Sequence, residues 1–308
     1  SAAVGLVAGI ADAANLLDEG LDASTAGALV GNVDALLGAV APEVGGAGGS
    51  EAAAAPQRRQ LSGQLQEATS RIGDAVLKTA VEGEQVLVEG QGGLRLTMMK
   101  ERPEDLAQHG ARVGGFSVPP LPPAALGGAA GRRLSACPNG DGDSVGLQHV
   151  AWPSNPFAYV GPNDTASLDQ VNRTIGSFQE RCCVVDDGAV ETVTLRRCGE
   201  QVQVADLAAN ISFVLKVPRL AGDAETLETR VCQHFDEASQ GWTARGCWTA
   251  AADDAGITCA CNRLSAFTGA YGSLTPIAQQ EPRVRVAGVL GAALGASPCD
   301  PGAPWWRR

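Results

Sequence analysis

The sequence predicts an α+β fold: an N-terminal helical subdomain followed by an antiparallel β-sandwich with a disulfide-stapled C-terminal motif. Three observations predict it. Apolar residues recur every three to four positions near the N-terminus, the period changes to two from about Gln85, and cysteines crowd towards the C-terminal half. The expected organisation is a helical subdomain over residues 1–84, a sandwich over 85–280 and a tail over 281–308.

The helical part is read from two apolar faces. Leu29, Val30, Val33, Leu36, Leu37 and Val40 fall on one side of a helix, the stripe that packs against a core. Asp22 and Ser24 stand where an N-cap belongs, with oxygens able to accept from the first free amides. A Gly/Ala-rich stretch over 45–55 is expected to break the pattern. A second run follows, with Leu61, Leu65, Ile72 and Val76 on one face and Arg58, Arg59, Glu67 and Arg71 off it.

Short β-branched runs come next, at 93–100, 148–152, 190–196, 201–204 and 211–217. Turn formers such as Asp186, Asp187 and Gly188 lie between them, as in an antiparallel sandwich. The Pro/Ala/Gly-rich segment 119–133, with Arg132 and Arg133, is expected to be a long exposed loop open to proteolytic nicking.

Composition narrows the function. The chain has 308 residues, 44% hydrophobic but only 4% aromatic, so the expected core is built from Ala, Val and Leu. Its 23 basic residues against 34 acidic ones leave a net charge of −11, unsuited to a phosphate backbone, so no nucleic-acid partner is expected. No Gly-rich loop follows a strand and opens a helix, which leaves nucleotide binding without support. Residues 284–296 span only 13 positions, short of the roughly 20 apolar residues that cross a bilayer. Opening on Ser1 with no charged-then-apolar leader, the chain is read as a mature fragment or internal piece of something larger, with no membrane span. Nine cysteines, together with N-x-[ST] sequons at Asn163, Asn172 and Asn210, favour an oxidising secretory compartment and possible N-linked glycans. The odd count leaves one thiol free or paired elsewhere.

The informative stretch is 232–274. It reads Cys232-Gln-His234-Phe-Asp, then Gly241-Trp242, then Gly246-Cys247, then Cys259-Ala-Cys261-Asn262-Arg263-Leu264-Ser265-Ala-Phe267. This resembles the proteolysis-site (GPS) motif that ends the GAIN domain of adhesion-type G-protein-coupled receptors and of polycystin and receptor-for-egg-jelly proteins. Over 1–84 and 85–280 the layout likewise resembles GAIN subdomains A and B. The resemblance implies disulfides Cys232–Cys259 and Cys247–Cys261. The competing reading is a zinc site from Cys232, His234, Cys259 and Cys261, but C-x-C is tighter than the usual ligand spacing.

In cleaving members of this family the residue after the Leu attacks the preceding carbonyl in an N-to-O acyl shift, and water hydrolyses the ester. Carried over, the nucleophile is Ser265 and the scissile bond Leu264–Ser265. The family's base is a His two residues before the nucleophile, and here Arg263 stands there. A guanidinium stays protonated and cannot take the hydroxyl proton. His234 or His149 could approach through the fold, although nothing in the sequence places either. The expectation is therefore a domain that does not cut itself, with Ser265 an ordinary strand serine and the following strand still buried. On this reading it is not an enzyme, or at most a single-turnover cis-autoprotease.

Remaining features are weaker. Asn139, Asp141 and Asp143 follow the spacing of a calcium loop, but Ser144 and Val150 stand where Gly and Glu belong. A polar turn is expected, with no metal and no cofactor. Cys183 and Cys198 flank an apparent hairpin around 186–188, so a bridge from Cys198 to Cys182 or Cys183 is plausible; Cys137 and Cys299 are unassigned. Trp305 and Trp306 call for a surface to bury against. The expected function is an extracellular structural or interaction module of a larger surface or fibre protein, either polycystin-like or a flagellar mastigoneme subunit. Its expected partners are other segments or chains of that assembly. The alternative is a cis-autoprotease cutting Leu264–Ser265. A carbohydrate-binding sandwich is disfavoured because the composition shows no aromatic platform.

Overall fold

A computed structural model describes residues 9–10, 13, 20–37, 51–126, 144–157, 159, 174–175, 178–184, 190–217 and 227–276. Outside the described residues lie Asn163 and Asn172, Cys137 and Cys299, Asn139, Asp141 and Asp143, residues 186–188, and Trp305 and Trp306.

Helix α1 (Ala23–Leu37) is capped by Asp22, whose Oδ1 accepts from the amides of Ser24 and Thr25 at 2.9 Å each. Ser24 itself is inside the helix, so of the two expected caps the carboxylate serves. Helix α2 (Glu51–Thr79) begins inside the stretch expected to break the pattern. The run Ala52–Ala55 explains the difference, since alanine favours the helix more than any other residue. Leu61, Leu65, Ile72 and Val76 are all buried, and Glu67 and Arg71 pair at 2.7 Å one turn apart on the opposite side.

The strands are β1 (Gln85–Glu89), β2 (Arg95–Glu101), β3 (Ala111–Val113), β4 (Phe116–Val118), β5 (Val145–Trp152), β6 (Thr174–Ile175), β7 (Phe178–Val184), β8 (Val190–Arg197), β9 (Glu200–Val202), β10 (Ile211–Leu215), β11 (Leu227–Asp236), β12 (Gly241–Thr243), β13 (Cys247–Ala252), β14 (Ile257–Cys261) and β15 (Ala266–Pro276). They form two antiparallel sheets. A ten-stranded sheet runs β1-β2-β5-β8-β15-β11-β12, with β6, β7 and β9 attached, and a five-stranded sheet runs β13-β14-β10-β4-β3.

Three layers result. One core lies between the helices and the large sheet and joins Leu65 and Ile72 to Val150 and Trp152. The other lies between the sheets and joins Leu147 and Val193 to Phe213 and Ile211. Strand β5 is therefore buried along its whole length, on both faces. Helix and sheet approach closely at Gly73, where a Cβ would fall 2.7 Å from the Gln148 amide; Gln148 uses the space to donate to Asp74 at 2.9 Å. The few aromatic rings are not spread out. Phe157, Phe235 and Trp242 form one cluster in the helix-side core, and Phe116, Phe213 and Phe267 form another between the sheets. Each of the two cores thus carries one ring cluster, with Val and Leu in both and buried Ala on the helix side.

Two connections differ from the sequence reading. Strands β7 and β8 do not form a hairpin with each other: both pair with the same edge of β15, β8 at Ala266–Phe267 and β7 from Ala270 onward. Turn residues at 186–188 suggested a reversal, whereas the two strands run on in one direction along a shared neighbour. The segment 119–133 is not all exposed loop. Leu121 and Leu126 are buried, and the Leu121 amide donates to the Leu106 carbonyl of helix α3 (Pro103–His109) at 3.2 Å.

Candidate functional site

The motif's residues meet where the chain crosses from the small sheet to the large one. Cys261 ends β14, Ala266 begins β15, and residues 262–265 make the crossing. Each step is pinned by backbone bonds. The Asn262 amide donates to Gly246 O at 2.9 Å, the Leu264 amide to Val204 O at 3.0 Å, and Ser265 O accepts from Val193 N at 3.0 Å.

The cysteines staple this crossing on both sides. Cys232 of β11 bonds to Cys259 of β14, joining the two sheets, with Cα atoms 5.8 Å apart. Cys247 of β13 bonds to Cys261 of β14, directly opposite in register. Cys259 and Cys261, two apart on one strand, share a face. Zinc is thereby excluded at these cysteines, since both thiols of the C-x-C pair are oxidised. Cys198 is disulfide-bonded as well. Cys182 and Cys183 lie in β7, whose side chains fall outside the described ones.

The motif's glycine and tryptophan have structural reasons. Gly246 has a φ of +79°, and a Cβ there would stand 2.4 Å from Asn262 Oδ1. Only glycine accepts both the backbone and the crowding, which ties Gly246-Cys247 to Cys261-Asn262. Trp242 is 1% exposed and packs edge-on to Phe235 and Phe157.

At the expected scissile bond, Leu264 is buried and Ser265 half-buried. Ser265 Oγ donates to the carbonyl of Phe235 at 2.8 Å. Arg263, beside it, reaches Asn262 Oδ1 at 3.4 Å and Asp206 at 3.9 Å. Neither Leu264 nor Ser265 has a positive φ, and among the described residues no donor is aimed at the Leu264 carbonyl oxygen.

The two histidines separate. His149 sits on β5 with Nε2 2.6 Å from Glu191 Oε2, its Nδ1 buried without a partner. His234 is the one that comes near Ser265. Its Nδ1 lies 3.1 Å from the same Phe235 carbonyl that Ser265 uses, and its Nε2 lies 3.0 Å from Arg245 O. The hydroxyl and the ring nitrogen are therefore within about 6 Å of one another. Burial, and to a lesser extent the charge of Arg263, push the His234 pKa down, so the ring is neutral at neutral pH. A neutral imidazole has one N–H and one lone pair. Both nitrogens face backbone carbonyls, so neither the proton nor the lone pair is directed at Ser265.

Residues 171–268 match the family model of the GPS motif, GAIN subdomain B. The matched residues contain the stapled crossing and the Leu264–Ser265 bond. No curated protein matches the chain. Among solved structures, the full extracellular region of zebrafish Gpr126/Adgrg6 is similar at 10% identity and a TM-score of 0.37, covering 85% of this chain and 34% of that one. The chain thus spans about a third of that structure's length. No helix among the described residues is long and apolar enough to cross a membrane.

Sequence reasoning did not find Phe235, whose carbonyl holds Ser265 and His234 together. Backbone acceptors have no signature in side-chain identity, so only the fold brings this one forward. Of the sequons, Asn210 is described: it is half-buried just before β10.

Proposed function

We propose that this GPS module is an extracellular structural unit that clamps its C-terminal strand without cutting the chain. It serves a larger surface or fibre protein, polycystin-like or of the mastigoneme type, and docks against other segments of that assembly. A helical unit over 1–84 and a sandwich over 85–280 make up the clamp, with N-linked glycans at the sequons. The observation that carries this reading is the Ser265 hydroxyl, whose proton goes to the Phe235 carbonyl while Arg263 stands where a base is needed. Serine is a weak nucleophile until a base takes that proton. Strand β15 pairs with β11 on one edge and with β7 and β8 on the other, so it is held in the middle of the sheet whether or not the chain is cut.

A second reading has one observation in its favour. His234 and Ser265 meet at the same Phe235 carbonyl, so a ring that left this acceptor could turn towards the hydroxyl, which makes slow cis-autoproteolysis at Leu264–Ser265 the alternative. The test is Arg263→His, followed by intact mass. If Arg263 alone withholds cleavage, the variant yields two fragments divided at Leu264–Ser265 and the parent chain yields one. An uncut Arg263→His variant overturns that attribution and places the deficiency in the missing donor at the Leu264 carbonyl.

A further inference from the structure

Cys198 is disulfide-bonded, and its partner is none of the motif's four cysteines, which pair with one another. We propose that Cys198 is bridged to Cys137, in a third staple that ties the chain between β4 and β5 to the β8–β9 turn.

The partner must be Cys137, Cys182, Cys183 or Cys299. The place of Cys198 is sharply fixed. With Gly199 it makes a two-residue turn, at φ values of +54° and +76°, and Arg197 and Glu200 pair on either side of it. Left-handed backbone at both positions is what so tight a hairpin requires.

Strand register removes the two cysteines of β7. On one edge of β15, Glu191 of β8 stands opposite Phe267, and Cys183 of β7 stands opposite Tyr271, four positions on. From Glu191 the chain runs away from β7 for seven residues to reach Cys198. Cys183 is therefore eleven positions along the sheet from Cys198, roughly 35 Å at the rise of a strand. Cys182 is one position further. A disulfide needs Cα atoms within about 7 Å of each other. The cysteines on either side of 186–188 thus part in space, because β7 and β8 do not fold back on one another.

Chain reach separates the other two. Arg197 Nη1 donates to the Leu126 carbonyl at 2.9 Å. Gly146 pairs with Arg196, so Ser144 falls beside Cys198, and the two line one cavity of about 280 Å³. Both ends of the segment that contains Cys137 are therefore at the turn, and Cys137 is seven residues from Ser144 and eleven from Leu126. Cys299 is 23 residues beyond Pro276. Pro276 pairs with Phe178, sixteen positions along the sheet from Cys198, roughly 50 Å away. A tether from there would run back at about two-thirds of its full extension.

Closing the bridge takes two protons and two electrons from the thiols of Cys137 and Cys198; a disulfide oxidant accepts them and leaves as two thiols. The staple braces the end of β8 that meets the helix, where Arg196 Nε donates to Asp74 of α2 at 2.7 Å. Three staples use six of the nine cysteines, so the thiol left by the odd count falls among Cys182, Cys183 and Cys299.

Trypsin places the candidates on separate peptides: Cys137 on 134–173, Cys182 and Cys183 on 182–196, and Cys198 on 198–216. The test is mass spectrometry of the unreduced full chain, alkylated under denaturing conditions, stripped of N-glycans and digested. We expect 134–173 joined to 198–216 until reduction parts them, with alkylation confined to 182–196 and the peptide of Cys299. A 198–216 peptide joined to 182–196 or to the Cys299 peptide overturns the proposal, as does one released without reduction. Cys137→Ser should open Cys198 to alkylation, whereas Cys182→Ser and Cys183→Ser should not. Alkylation of Cys198 in either of the latter two would contradict the assignment.

Discussion

Ser265 and His234 share one acceptor: Ser265 Oγ and His234 Nδ1 lie 2.8 and 3.1 Å from the carbonyl oxygen of Phe235. A hydroxyl on the crossing just before β15 and an imidazole on β11 are thus brought together, yet joined through an oxygen that can only accept. The hydroxyl is satisfied there, whereas the neutral ring has one N–H for two carbonyls, those of Phe235 and Arg245. Proton transfer between the two would require one of them to leave it.

The pH dependence of stability should carry the signature of His234. Burial holds its pKa below the ordinary 6.5, so the unfolded chain binds the proton first as the pH falls. The contribution is intact above pH 6.5 and is lost as the pH drops from there through the lower folded value. In His234→Gln the stability curve should be flatter over that interval, read by chemical denaturation at a series of pH values. An unchanged slope would mean that the ring is not held neutral by its surroundings.

The two staples should differ in worth. Each bridge is expected to contribute roughly 2–4 kcal/mol. Cys232–Cys259 closes 27 residues against 14 for Cys247–Cys261, nearly a doubling, which adds about 0.6 kcal/mol by loop entropy. The double alanine variant at 232 and 259 should therefore unfold at lower denaturant than that at 247 and 261. The reverse order would show that native packing, not loop closure, sets the difference.

Gly246→Ala should destabilise the module by about 1–3 kcal/mol, because it forces a side chain into the left-handed region and against Asn262. Adding Asn262→Gly should recover the steric part only. Thermal unfolding of the single and double variants separates the two contributions.

Helix α2 is tied to the sheet by Asp74 and Arg196, 2.7 Å apart, with Arg196 buried. Burial pushes the Asp74 pKa up even against the neighbouring Arg196 charge. Arg196→Leu should cost roughly 3–5 kcal/mol by stranding the carboxylate, and the double substitution with Asp74→Leu should cost less. Equal losses in the two variants would indicate that the pair is screened by solvent.

Much of this architecture is written locally. The apolar stripe at Leu61, Leu65, Ile72 and Val76 marked α2, and the alternation at 148–152 and 190–196 marked β5 and β8. Motif spacing pointed to the two bridges through a resemblance, and the strand pairing shows why they fit. What could not be read locally depends on neighbours distant in sequence. Nothing around residue 188 says that β7 and β8 share β15 as a partner, because that edge is some eighty positions away. Helix α3 had a signal, Pro103 followed by Glu104 and Asp105 in its first turn, but at seven residues it is too short to show a period.

The central claim is that Ser265 is held without being activated, and the intact mass of the reduced, denatured parent chain tests it most directly. We expect one species that spans Leu264–Ser265. Two species divided at that bond would contradict the claim and mean that another group, with His234 the nearest candidate, takes the hydroxyl proton.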